Sequence, residues 1–165
     1  MIGDTGSGKT TVARALAEKL GVPHIELDAL FWRPAWQESE ADEFRERVVA
    51  ALGDEGWVVD GNYRTKLGSL VLGQADLIIW LDLPFRTTFP RSLRRTLRRL
   101  RTRESLWGTN TESWRAVFFS RDSLLWWALK SRLRKRRRRF GDLDAYPHVR
   151  LRSQREVERF VQEAV

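Results

Sequence analysis

Apolar residues recur at spacings of three and four through Val12, Ala13, Leu16, Ala17 and Leu20, with Gly21 as a stop, so an amphipathic helix is predicted near the start of the chain. Pro23 to Asp28 reads as a short strand closing in a carboxylate. Leu30 to Trp36 is too aromatic, and too interrupted by Pro34, for a regular element. Glu38 to Leu52 carries a second helical stripe of Phe44, Val48, Val49 and Leu52, with acids and arginines opposite. Trp57-Val58-Val59-Asp60 is a buried strand that again ends in an acid. A tight Gly61-Asn62-Tyr63-Arg64 loop and a short helix around Leu67 to Leu72 follow. Ala75 to Leu83 is a near-continuous apolar run, typical of a parallel strand buried on both faces.

Beyond Pro84 the pattern becomes strongly basic. Phe85 to Leu100 predicts a helix with Pro90 as an early interruption and Leu93, Leu97 and Leu100 as its inner side. Arg101 to Trp114 reads as a polar loop, Ser120 to Leu133 as another helix, and Phe140 to Tyr146 as a loop. His148 to Arg152 is a last strand, and Ser153 is an N-cap before a helix bearing Val157, Phe160, Val161 and Ala164. This alternation of strands and helices predicts an α/β fold: a central parallel sheet with helices on both faces and right-handed crossovers. The first strand is the exception. Only Met1 and Ile2 precede Gly3, which predicts a natural chain beginning upstream with an apolar run.

At 165 residues the chain reads as one domain, 1–165, with enough length for a proper core. It has no cysteine, which excludes disulfides and thiolate metal sites. No signal peptide and no uncharged apolar run of membrane-spanning length is read, so a cytoplasmic protein without a membrane partner is expected. The net charge of +8 is unevenly spread. Residues 1–85 carry 8 Lys/Arg against 14 Asp/Glu, residues 86–139 carry 18 against 3, and residues 140–165 carry 4 against 5. Polyanions, whether nucleotide phosphates or nucleic acid, are therefore drawn to the middle block.

The candidate chemistry begins at Gly3-Asp4-Thr5-Gly6-Ser7-Gly8-Lys9-Thr10, which fits G-x-x-x-x-G-K-[ST], with Thr11 directly behind it. Glycines let backbone N–H groups approach a triphosphate, and the helix that follows aims its positive end there. Lys9 reaches the outer phosphates, and the Thr10 hydroxyl is a candidate Mg²⁺ ligand. ATP and Mg²⁺ are the expected cofactors. Asp28, Asp60 and Asp82 each close a predicted strand, where ligands of open α/β sheets sit. Asp28 is a candidate substrate-binding acid or a cap of the next segment. Leu30 to Trp36 is a candidate pocket wall or a packed subdomain, and His24 reads as structural. Arg91 and Arg95 are one turn apart, either a catalytic pair or a solvated basic face.

The P-loop, Asp28, Val59-Asp60-Gly61-Asn62-Tyr63-Arg64, Leu81-Asp82-Leu83-Pro84 and the Arg91/Arg95 pair occur here in an order that resembles the P-loop small-molecule kinases: adenylate, shikimate and gluconate kinases. Leu27 to Trp32, Asp60 to Tyr63 and Leu151 to Ser153 are most similar to an adenylate-kinase-like group termed topology modulation (FlaR-like) proteins. The resemblance implies a nucleoside-monophosphate-kinase-like P-loop NTPase fold with an Arg-rich lid. Residues 29–56 would be the acceptor-binding subregion and 101–146 the lid and basic helix. It also implies roles. Lys9, Asp28, Asp60, Arg91 and Arg95 would be catalytic, and Thr10 and Asp60 would serve the metal. Asp28 and Arg64 would bind the acceptor, and Arg115 and Arg121 are candidate lid contacts. Asn62-Tyr63 departs from the Phe-Pro of adenylate kinases, so the acceptor pocket is expected to differ.

The activity implied is ATP-dependent phosphoryl transfer to a small molecule, with a nucleotide among the candidate acceptors. Two rival readings are a nucleic-acid-associated P-loop ATPase and an ATP-binding relative without turnover. The first draws on the run Lys130 to Arg139, in which 8 of 10 residues are basic.

Overall fold

The computed structural model describes residues 1–53, 56–107, 110–112 and 141–164. Strand β1 (Ile2–Gly3) runs into the glycine-rich loop, and helix α1 (Lys9–Leu20) follows it. Strand β2 (His24–Glu26) pairs in parallel with β5 (Val58–Asp60). Strand β1 pairs in parallel with β6 (Ile78–Leu81), which pairs in parallel with β9 (His148–Leu151). Met1 joins the two groups. Its N–H donates to the Val59 carbonyl at 2.7 Å, and its own carbonyl accepts from Gly61 N–H at 3.3 Å. The strand order is therefore β2-β5-β1-β6-β9, with the loop-bearing strand at the centre.

Apolar layers cover both faces. Leu16 of α1 packs with Ile79, Leu81 and Leu151, and with Val157 of the C-terminal helix α6 (Gln154–Glu163). Ile2, Ile78, Trp80 and Leu143 pack together as a second cluster. The third cluster belongs to an appendage: Phe31, Phe44 and Val48 are nearly inaccessible and pack on Ile25, Val59 and Leu67. Phe31 ends helix α2 (Leu27–Phe31), whereas Phe44 and Val48 come from α3 (Ala41–Leu52). This is the parallel α/β architecture predicted from the alternation of elements, and it agrees with the P-loop NTPase fold that the resemblance implies. Ser153 caps α6 as expected, its Oγ accepting from Glu156 N–H at 3.2 Å.

Four local expectations are corrected. Strand β2 ends at Glu26, so Asp28 lies in the first turn of α2 and not at a strand terminus. The aromatic stretch after it is ordered as a hairpin, β3 (Trp32–Arg33) against β4 (Gln37–Glu38), around a tight turn at Pro34–Trp36. The polar loop after residue 101 contains a second hairpin, β7 (Ser105–Leu106) against β8 (Asn110–Thr111).

Helix α5 (Phe85–Thr102) runs through Pro90, and of the predicted leucine stripe only Leu100 is on its buried side, which is otherwise Thr88, Ser92 and Thr96. Leu93 and Leu97 are only half-buried. The reason lies in the glycine-rich loop: a Cβ on Gly6 would stand 2.2 Å from the Thr88 carbonyl and 3.1 Å from Ser92 Cβ. Only small residues fit where the helix meets the loop. The predicted helix over Ser120 to Leu133, the basic run, Arg115 and Arg121 lie outside the described residues. Among the described residues, no helix is long and apolar enough to cross a membrane.

Candidate active site

The glycine-rich loop is built to receive an anion. Gly8 is the N-cap of α1 with φ 90°, and no side chain caps the helix. An added Cβ at Gly8 would meet nothing within 4 Å, so open space lies in front of the free N–H groups of the first turn. Ser7 is buried, and its Oγ has no hydrogen-bond partner. Lys9 folds back over the loop, with Nζ donating to the Asp4 carbonyl at 3.2 Å. Burial pushes its pKa down, against the pull of Asp60, Asp28 and Asp4. A phosphate chain would satisfy all of these groups together. Thr10 is partly accessible at the same helix end, and Thr11 is exposed.

Asp28, Asp60 and Arg95 act electrostatically on Lys9, so four of the five predicted catalytic residues converge. Asp60 is buried and meets His24 Nε2 at 3.2 Å. Its rival Asp82 is held by Arg150, whose Nε and Nη2 lie 2.9 and 2.5 Å from the same carboxylate oxygen. Asp60, not Asp82, is therefore the strand-end acid facing Lys9. Asp28 accepts from the Tyr63 hydroxyl at 2.6 Å. Burial beside this carboxylate drives the Tyr63 pKa up, keeping the phenol protonated as a donor.

Arg95 turns inward. Burial and the neighbouring Arg99 push its pKa down, while Glu112, Asp28 and Glu26 pull it up, and its Nε is buried without a partner. Arg91, one turn earlier, points elsewhere: it is exposed, and Nη1 donates to Gln154 Oε1 at 3.0 Å. The pair thus does not act on one spot. Arg64 opens the short helix α4 (Arg64–Leu67). With Asp4, Thr5 and Asn62 it lines a cavity of about 1130 Å³, which continues along the sheet between Trp57–Val59 and Leu77–Ile79. More of that cavity's wall is apolar than polar, and it reaches Asp4 and Thr5 of the glycine-rich loop but not Asp28 or Lys9.

Several participants were not singled out from sequence. Glu26 is half-buried at the end of β2, and its pKa is raised first by burial and then by Asp60 and Asp28, while a Trp107 hydrogen bond opposes the shift. Alternation along β2 puts Glu26 and His24 on one face, a signal that strand periodicity carries once the strand's partner is known. Asn62, noted only as a departure from a motif, bonds the backbone of Gly3 on both sides.

Three of the tryptophans, Trp32, Trp36 and Trp107, form a wall with Phe31 and Tyr63. Ring centroids step from Trp107 to Trp36 (5.8 Å), Trp36 to Trp32 (5.5 Å), Trp32 to Phe31 (5.1 Å) and Phe31 to Tyr63 (4.8 Å). Asn110 locks the two hairpins together: its Nδ2 donates to the Arg33 carbonyl at 3.0 Å and its Oδ1 accepts from Trp36 N–H at 2.8 Å. Arg99 braces this hairpin from α5 through Glu112 at 3.2 Å.

The donor set suits Mg²⁺ held together with a nucleotide. Among the described residues, no three His, Asp or Glu side chains converge into a metal site of their own. One hydroxyl and one carboxylate beside a phosphate cradle is the arrangement Mg²⁺ takes with phosphates as co-ligands.

Comparison with known proteins agrees with this geometry. The family model for shikimate kinase matches residues 5–138. A shikimate kinase of Symbiobacterium thermophilum is 34% identical over 107 residues, 56% of this chain and 61% of that protein. One of Sulfurihydrogenibium sp. is 29% identical over 105 residues, 55% of this chain and 63% of that protein. The chain thus spans about three fifths of the length of these curated relatives. With the glycine-rich loop at the central strand and the acids of the neighbouring strands facing it, the chain belongs to the shikimate kinase family.

Proposed function

We propose that the protein transfers the γ-phosphoryl group of ATP to a hydroxyl of a small-molecule acceptor. The observation that carries this reading is the approach of Lys9 and Arg95 to Asp28, a carboxylate braced by Tyr63. Phosphoryl transfer asks mainly for positioning and for charge stabilisation on the equatorial oxygens. Loop N–H groups around Gly6, Gly8, Lys9 and Thr10 and the Lys9 ammonium hold the phosphates. Asp28 accepts a hydrogen bond from the acceptor hydroxyl and takes its proton as the oxygen attacks phosphorus and the bond to ADP breaks. The Tyr63 bond fixes the second Asp28 oxygen, so the carboxylate keeps one orientation. Arg95, which is electrostatically coupled to Lys9 and Asp28, offsets charge on the moving phosphoryl group. Bound Mg²⁺ supplies further charge neutralisation, with Thr10 and Asp60 as the residues that would hold it and its water.

Residues 29–56 form the acceptor side, and the hairpin after α5 is the described part of the lid. The aromatic wall and the Asn110 contacts support that division. Shikimate is the first acceptor to test, because the relatives are named for it. A site bearing both Arg95 and the carboxylates Asp28 and Glu26 suits a molecule with hydroxyls and an anionic group. We therefore rank shikimate ahead of a nucleotide. A coupled assay of ADP release with shikimate, other hydroxy acids, sugars and nucleoside monophosphates tests the proposal. Turnover with one of them, lost in Lys9→Ala, is expected; no ADP release with any acceptor would instead favour an ATP-binding relative without turnover.

A second reading is a nucleic-acid-associated ATPase, to which the likeness to topology modulation proteins belongs. It draws on the solvent-facing Arg91, Arg94, Arg98 and Arg101 of α5. ATP hydrolysis stimulated by DNA at physiological salt would favour it; binding that vanishes there reflects charge alone.

A further inference from the structure

His24 opens β2 and Asp60 closes the adjacent β5, with His24 opposite Val58 and Glu26 opposite Asp60. Residues two apart on a strand share a face. His24, Glu26, Val58 and Asp60 therefore project to one side of the sheet, the side on which Val58 packs against the cluster that includes Leu16 of α1. His24 reaches diagonally to Asp60, with Nε2 3.2 Å from Oδ2, and the two side chains are 14% and 2% exposed. An ionised carboxylate only accepts, so the ring nitrogen is the donor. Among the described residues this is the one hydrogen bond made by the Asp60 carboxylate. One oxygen is thereby held, and Oδ1 makes no hydrogen bond among the described residues.

We propose that His24 is a positioning residue: its Nε2–H pins Asp60 Oδ2 and so orients the other oxygen for the metal that accompanies the nucleotide. The proposal rests on the reading of this site as a Mg²⁺–nucleotide site. A histidine that merely filled space would be replaceable by any side chain of similar bulk. One that acts through its hydrogen bond is replaceable only by a donor at the same reach. Gln places its amide nitrogen the same number of bonds from Cα as the Nε2 of histidine, whereas Asn falls one bond short.

The test is equilibrium binding of a fluorescent ATP analogue in Mg²⁺ and in EDTA, with melting temperatures measured alongside. Wild type should bind more tightly in Mg²⁺. His24→Phe and His24→Asn should lose affinity in Mg²⁺ by about tenfold, the usual scale for removing an outer partner of a metal-side carboxylate. Both should bind as wild type does in EDTA, and His24→Gln should recover most of the loss. A His24→Phe protein that keeps the wild-type Mg²⁺ effect overturns the proposal, and so does a Gln variant as weak as Asn. If the Phe variant does not fold, the Asn and Gln comparison decides. A wild type whose nucleotide affinity ignores Mg²⁺ sinks the underlying reading of the site, and this proposal with it.

Discussion

The carboxamide of Asn62 pairs with both backbone groups of Gly3: Nδ2 donates to the Gly3 carbonyl at 2.6 Å, and Gly3 N–H donates to Oδ1 at 3.3 Å. A side chain thus continues the parallel pairing that Met1 makes with β5, just where β1 gives way to the phosphate loop. The loop is tied at its root to the strand that carries Asp60.

Asn62→Asp keeps the shape but turns the donor that faces the Gly3 carbonyl into an acceptor. We expect it to destabilise the protein by on the order of 1–2 kcal/mol, more than Asn62→Ala, because removing a group costs less than opposing one. Both should weaken nucleotide binding, since the loop loses its anchor. Denaturant titration and nucleotide binding of the two variants check this; an Asp variant as stable as wild type counts against the anchor.

Gly6 and Gly8 both have positive φ, 79° and 90°, but differ in surroundings. A Cβ at Gly6 would collide with the Thr88 carbonyl, whereas at Gly8 it would enter open space. Gly6→Ala should therefore cost about 3 kcal/mol or more from clash and strain together. Gly8→Ala should cost only about 1–2 kcal/mol from the left-handed conformation, yet abolish nucleotide binding by filling the cradle. Melting temperature and ATP affinity, measured on both, separate the two effects.

Lys9 is charged in a largely enclosed place, and its lowered pKa reports that the apo protein pays for it. Lys9→Met should raise the apo melting temperature by roughly 2–4 °C, the equivalent of about 1 kcal/mol at this chain length. It should also remove any stabilisation by ATP. Thermal scans with and without nucleotide would show the crossing; a variant less stable than wild type without ligand would assign Lys9 a structural role instead.

Glu26 gives a pH signature. Its folded pKa is raised above the 4.5 of the unfolded chain, chiefly by burial and then by Asp60 and Asp28. The folded state therefore holds this proton more tightly, and stability is lost as pH rises from 4.5 through the folded value. Glu26→Gln mimics the protonated form. It should match wild type below pH 4.5 and become progressively more stable above it. A Tm difference that is flat with pH contradicts this assignment.

The chain by itself determined what depends on near neighbours. The glycine-rich loop, the helix behind it and the Ser153 cap are each specified within about one helical turn of sequence, because glycine torsions, capping and helical spacing are local physics. The alternation of apolar strands and amphipathic helices likewise fixed the parallel α/β class, since each period states which side must be buried. Tertiary structure decided the pairings. Arg91 and Arg95 share a helical turn, yet Arg95 is half-buried and coupled to Asp28 and Lys9, whereas Arg91 is exposed and bonded to Gln154. Leucines mark α5 as amphipathic, but of them only Leu100 is on the buried side with Thr88, Ser92 and Thr96, where Gly6 comes close to the Thr88 carbonyl and to Ser92. Asp28 gains Tyr63, and Asp60 gains His24, from residues 35 and 36 positions away. Such contacts depend on which strand lies beside which and on how far a side chain reaches, and no period along the chain carries that information.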